Sequence, residues 1–209
     1  MDDLKQTIAT FDKYAAEYQN KYMDHGPYVE TYGPLSDLLA AEASILDAAS
    51  GPGNIARFLL KDFPKRKLHG IDLSPKMIEL AKSNNPTATF TVMDCRQIAS
   101  LGGHYDAIIA GFCFPYLTRE EVAKFIRDAQ DMLNPGGILY ISFMEGDYTD
   151  SGLQSRNNID WVCTYYHNTD LLIETLKSRG FEIIEVIRQA FTSDDLPDAT
   201  DVFIYARLA

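Results

Sequence analysis

Apolar positions in the first part of the chain recur at helical spacing: Ile8, Phe11, Ala15, Tyr18 and Tyr22 fall on one stripe. That spacing predicts an amphipathic helix, followed by turns at Gly26-Pro27 and Gly33-Pro34 and a second helix over residues 34–43. From residue 44 the rhythm changes. Short apolar runs, "ILDAA", "KLHGID", "TFTVMD", "YDAIIAGF" and "GILYISF", alternate with helical patterns. The runs carry Ile, Leu and Val on both faces, as strands of a parallel sheet covered on both sides must. The intervening helices are well marked. Ser74 before Pro75 reads as an N-cap, Thr118 with Glu121 as a capping box, and Asn134-Pro135-Gly136-Gly137 as a stop.

After the fifth strand a long polar stretch, residues 145–160, precedes a helix over residues 169–179 that ends at Gly180. Two further strands, "FEIIEVIRQAF" and "TDVFIYARLA", flank the polar connection "TSDDLPDA" and predict an antiparallel hairpin. The expected fold is α/β: a doubly wound, seven-stranded, mostly parallel sheet with a C-terminal antiparallel hairpin and helices on both faces. Residues 1–209 form one domain in this reading, an N-terminal helical cap (1–43) over a Rossmann-like core (44–209).

Composition narrows the function classes. The formal charge of −11 disfavours nucleic acid and anionic membrane surfaces as partners. The basic run "KDFPKRK" reads as a solvated helix end. Three widely spaced cysteines, Cys95, Cys113 and Cys163, suggest neither a disulfide framework nor a zinc site, and no metal is expected. With no apolar leader or membrane span in the sequence, the expected location is cytoplasmic.

The chemistry concentrates in "ILDAASGPGN". Small residues at a strand-to-helix turn let a ligand approach the main chain, and Gly51-Pro52-Gly53-Asn54-Ile55-Ala56 fits the dinucleotide pattern G-x-G-x-x-G/A. Asp47, upstream of the glycines, would repel a pyrophosphate and attract a cation. Asp72 and Asp94 close the second and third strands, so three carboxylates gather at the edge of the sheet where doubly wound folds bind ligands.

This set resembles the class I S-adenosylmethionine-dependent methyltransferases, whose first motif is (Asp/Glu)-x-Gly-x-Gly-x-Gly, with acids ending the second and third strands. The chain is similar to the branch that acts on ubiquinone precursors and other small molecules. The resemblance implies S-adenosylmethionine as cofactor and S-adenosylhomocysteine as product. It places Ala49, Gly51 and Gly53 beside the methionine and ribose portions and Asp47 toward the ammonium. Asp72 would hold the ribose hydroxyls and Leu73 would lie beside the adenine. Asp94 would take the adenine amino group, the Cys95 amide a ring nitrogen, and Ala110 and Gly111 the floor. Ala49 stands where the family has its first glycine.

The expected reaction is in-line methyl transfer to an oxygen, nitrogen or carbon of a small organic substrate, which needs alignment and exclusion of water. Phe112, Phe114, Tyr116, Tyr165 and Tyr166 are the candidate pocket aromatics, with His167 and Glu145 as candidate bases. The leader is expected to form a mobile cover, with Tyr14 near the methionine end. Two other classes fit the same glycines: a nicotinamide-dependent oxidoreductase and a non-catalytic cofactor-binding interaction protein. The substrate's identity and the oligomeric state are not encoded in any motif.

Overall fold

A computed structural model describes residues 3–155, 157–193 and 196–209, with side chains outside 192–198. Three helices lead the chain: α1 (Asp3–Lys13), α2 (Ala15–Tyr22) and α3 (Gly26–Asp37). The core then alternates β1 (Ser44–Ala48), α4 (Asn54–Lys61), β2 (Lys67–Asp72), α5 (Pro75–Asn84), β3 (Thr89–Val92), β4 (Tyr105–Ala110), α6 (Arg119–Met132) and β5 (Leu133–Glu145). A small hairpin, β6 (Gly152–Ser155) and β7 (Trp161–Thr164), precedes α7 (Thr169–Ser178), β8 (Phe181–Ser193) and β9 (Leu196–Leu208).

The main sheet has the order β3-β2-β1-β4-β5-β9-β8. Its first five strands run parallel, and β9 is inserted antiparallel between β5 and β8. Strand order reverses between β1 and β4, where a doubly wound sheet opens a crevice at its carboxyl edge. Alternate residues of β4 serve opposite faces: Ile108 and Ala110 pack toward α6 and α7, Ala107 and Ile109 toward α3, α4 and α5. The expected strands and the closing hairpin are therefore present. Asp194 and Asp195 of the expected polar connection lie outside the described residues.

The leader departs from expectation. Gly26-Pro27 starts α3 instead of breaking a helix, Pro34 lies inside it, and no helix spans 34–43. Pro suits a first helical turn, and the burial of Tyr28, Thr31, Tyr32 and Leu35 on one face outweighs the lost backbone bond at Pro34. The polar stretch 145–160 also holds structure. It supplies β6, whose pairing with β7 makes a second sheet. Leu153 is exposed and the strand is too short to show an alternating pattern.

Arg66 is a further correction, because it is buried (4% exposed) rather than solvated. Its Nε donates to Ala40 O, its Nη1 to Ser36 Oγ and Leu59 O, and its Nη2 to Ser36 O and Leu39 O. The guanidinium thus ties the carbonyl ends of α3 and α4 together beneath the cap. Burial lowers its pKa from the ordinary arginine value. Arg66→Ala should leave these carbonyls unpaired and cost about 2–4 kcal/mol. The check is urea unfolding: a lower midpoint with an unchanged m-value is expected, whereas an unchanged midpoint would show the peg to be dispensable.

Candidate functional site

The loops after β1, β2, β3 and β4 surround one cavity, walled by Ala49, Gly51, Asp72, Leu73, Asp94, Cys95, Gly111 and Phe112. After β1 the chain turns through left-handed backbone at Ala49 (φ 59°), Gly51 (φ 53°) and Gly53 (φ 78°). At Ala49 this costs about 1–2 kcal/mol that glycine would not incur. Gly53 is off the cavity wall. A Cβ there would stand 2.4 Å from Asn85 Nδ2, so this glycine lets α5 close against the loop. Ala110 is fully buried in the sheet and likewise does not line the cavity. Phe112 does, with a positive φ of 48° and its N–H donating to Ser142 Oγ at 2.8 Å.

The three acids occupy three different environments. Asp47 is 1% exposed, and neither carboxylate oxygen has a hydrogen-bond partner among the described residues. Burial, and then the charge of Asp72, push its pKa up to about 8. It lies behind the turn and not on the cavity wall. Asp72 is half-buried on that wall and accepts from Gly51 N–H (2.9 Å) and Ser74 N–H (2.8 Å). Burial raises its pKa although these bonds favour the ionised form. Asp94 lies beyond the end of β3 and caps the following turn. Burial works against its charge, but hydrogen bonds and charge from Arg96 prevail and hold its pKa below the ordinary value. Arg96 Nε contacts both Asp94 oxygens, and its Nη1 reaches Glu121 on α6.

The leader covers this cavity. Ile8, Phe11 and Tyr18, members of the predicted apolar stripe, line it. The Phe11 ring meets Tyr18 at 6.0 Å and Tyr116 at 5.1 Å, and Tyr28 of α3 meets Phe112 at 4.8 Å. Polar bonds pin α1 on both sides. Asp12 accepts from Ser74 Oγ (2.7 Å) and Lys76 N–H (2.9 Å) at the start of α5. Thr7 accepts from Cys163 N–H and Thr10 donates to Trp161 O on the β6-β7 hairpin. Tyr14 does not line the cavity, its hydroxyl donating instead to Asp160 at 2.7 Å, whereas Tyr18 does line it.

Of the candidate substrate-pocket aromatics, Phe112 and Tyr116 line the cavity. Phe114 is buried among Phe125 and His167, Tyr165 stacks on Tyr148, and Tyr166 borders a separate groove. The candidate bases are also elsewhere. His167 is 2% exposed, its Nε2 donates to Phe114 O at 2.9 Å, and burial lowers its pKa. Glu145 is bound by Arg188, which lowers its pKa, and it too lines the separate groove. Sequence reading missed Arg96, Ser74, Met77 and Met93 as cavity residues. Ser74 was visible as a cap, but no spacing rule marks the other three.

Residues 45–137 match a family described as a methyltransferase domain. A demethylmenaquinone methyltransferase of Thermotoga maritima is 26% identical over 141 residues, 66% of this chain and 61% of that protein. The next relatives are matched over 38% and 40% of their length, so the chain spans well under two thirds of them. Among solved structures, magnesium protoporphyrin IX methyltransferase of Synechocystis with bound S-adenosylhomocysteine superposes with TM-score 0.74 at 17% identity, covering 100% of both chains. The N-methyltransferase NodS of Bradyrhizobium japonicum, also in complex with S-adenosylhomocysteine, gives 0.72 at 19% identity, covering 97% of this chain and 98% of that one. With its strand order and its acid-and-glycine turn, this chain has the fold of these methyltransferase structures, and its residues 45–137 are similar to a methyltransferase domain.

Proposed function

We propose that the chain binds S-adenosylmethionine in this cavity and passes its methyl group to an oxygen, nitrogen or carbon of a small organic acceptor. The observation that carries the reading is the pair Asp47 and Asp72. Among the described residues no lysine or arginine is paired with either, and both oxygens of Asp47 are orphaned beside a turn of small residues. Such a pair fits a ligand with an ammonium and a sulfonium. A dinucleotide is disfavoured, because the loop amides a pyrophosphate would need are engaged: Ser50 N–H by Ile71 O, Gly51 N–H by Asp72 and Gly53 N–H by Ser50 O.

In this proposal Asp72 holds the ribose hydroxyls and Asp47 sets the field that favours the amino-acid end. Asp94 and the Cys95 amide face the adenine, with Leu73 beside it. Ala49, Gly51 and Gly111 keep the walls low. The bound cofactor supplies a methyl carbon already activated by the sulfonium. The chain's task is to align the acceptor and exclude water, which Phe11, Tyr18, Phe112 and Tyr116 do by closing the cavity with aromatic surface. His167 and Glu145 sit off the cavity, so positioning replaces them as the source of rate. The acidic surface supports a small-molecule acceptor over nucleic acid. No helix among the described residues is long and apolar enough to cross a membrane. A single domain, with residues 1–43 capping 44–209, and a cytoplasmic location belong to the same proposal.

Two measurements test it. Asp72→Ala should weaken S-adenosylhomocysteine binding by about 10- to 150-fold in calorimetry, the worth of charge-assisted hydrogen bonds of about 1.5–3 kcal/mol. Unchanged affinity in a folded variant, or tighter binding of NAD than of S-adenosylhomocysteine by the native chain, would refute the assignment. The second concerns Asp47. Its pKa is raised from the ordinary 3.8 to about 8, so the folded state holds a proton that the unfolded chain has released, and ligand-free stability falls as pH rises through that window. Between pH 6 and 8 the native protein should lose about 2 kcal/mol more than Asp47→Asn. Parallel pH profiles for the two in urea unfolding would contradict it.

A further inference from the structure

Two thiols meet in the wall of the cavity. Cys113 Sγ donates to Cys95 Sγ at 3.4 Å, and both residues line the cavity. They come from different loops. Cys95 opens the turn that follows Asp94 after β3, and Cys113 lies in the bend between β4 and the Phe114-Pro115-Tyr116 turn. Strands β3 and β4 are not neighbours in the sheet, since β2 and β1 stand between them, so only the folded carboxyl edge brings these sulfurs together. The two differ in access. Cys95 is half-buried and Cys113 is buried (1% exposed). In the reduced pair, its hydrogen bond to Cys95, together with burial, pushes the Cys113 thiol pKa up.

We propose that Cys95 and Cys113 form a site of reversible covalent modification, at which a low-molecular-weight disulfide oxidises the pair to an intramolecular disulfide and thereby closes the cavity to its cofactor. Cys95, the accessible sulfur, attacks the reagent RSSR, forms a mixed disulfide and releases one RSH. With the Cys95 sulfur now in the mixed disulfide, Cys113 gives up its proton and attacks that sulfur as a thiolate, forming the Cys95–Cys113 bond and releasing RS⁻, which takes up the proton as the second RSH. The two thiol protons end on the two leaving thiols, and the two electrons given up by the protein reduce RSSR. No other reactant is needed.

In this proposal the sulfur separation shortens from 3.4 Å to about 2.0 Å and the two loops are drawn together. The backbone that moves carries Asp94 and the Cys95 amide on one side and Gly111 and Phe112 on the other. Drawing these groups together degrades a site that holds its ligand by geometry. This effect on binding rests on the cofactor proposal above. Cys163 is buried on β7, where its N–H bonds Thr7, and it takes no part in the pair.

The test uses the full chain carrying Cys163→Ser, so that only the two thiols remain, incubated with excess oxidised glutathione. Intact mass should fall by two hydrogens with no glutathione retained, S-adenosylhomocysteine affinity should drop about tenfold or more, and dithiothreitol should restore both. Cys113→Ser in the same background should instead retain one glutathione on Cys95. Unmodified thiols, or a stable glutathione adduct with Cys113 present, would overturn the pairing. A disulfide that leaves affinity unchanged would overturn its control of the cavity. Failure of the reduced protein to bind S-adenosylhomocysteine would refute the cofactor proposal, and with it control of binding, while the mass still decides the pairing.

Discussion

A buried carboxylate with no neutralising partner among the described residues governs the carboxyl edge of this sheet. Among the described residues, Asp47 near the end of β1 has both oxygens without a hydrogen-bond partner, and Asp72 at the end of the adjacent strand accepts only from backbone N–H groups. In a closed protein such a group costs free energy unless it takes up a proton or meets a cation, and the rise of its pKa to about 8 is the first of those outcomes. The surroundings keep the second open. The turn beyond it is built of small residues in left-handed backbone, so bulk stays out of the space in front of Asp72. The arginine nearest the third acid is spent on Asp94 and Glu121. Charge distribution here points to what the cavity takes, more than its shape does.

The cap is coupled to the same edge. Asp72 accepts from the Ser74 amide, and Ser74 Oγ donates to Asp12 of α1, so a short chain of bonds links the proposed ribose acid to the covering helix. On its other side α1 leans on the β6-β7 hairpin through Thr7, Thr10 and the Lys13–Asp160 ion pair. That exposed pair contributes little to stability. Its place between two elements that flank the cavity makes it part of the cover.

Patterns set by local physics were readable before any coordinates. Ile45, Ile71 and Ile108 are apolar in strand runs because the sheet is covered on both faces, and Thr118 with Glu121 forms the capping box that their spacing requires. Asp72, Gly51 and Phe112 reach the cavity because strand ends in this fold must face the switch point. Features settled by distant contacts were not readable. Pro34 signals a break, yet α3 continues because Tyr28 and Leu35 bury against the core. Tyr14 and Tyr18 differ by one helical turn, and which faces the cavity depends on where Asp160 stands, on a hairpin hidden in polar sequence. His167 is a candidate base in the sequence, but its strand-like bridge to Glu145 places it in the interior. Arg66 reads as solvated because four of its five bonds go to backbone carbonyls, which leave no mark in a sequence.

The most direct measurement is the ionisation of Asp47 itself, followed by carboxyl-carbon NMR titration of the native chain and of Asp47→Asn to assign the resonance. The account predicts titration near pH 8 in the free protein and a fall toward the ordinary carboxylate range when S-adenosylhomocysteine brings its ammonium group. An Asp47 that titrates near its ordinary value of 3.8 in the free protein, or whose titration does not move when the ligand binds, would contradict it.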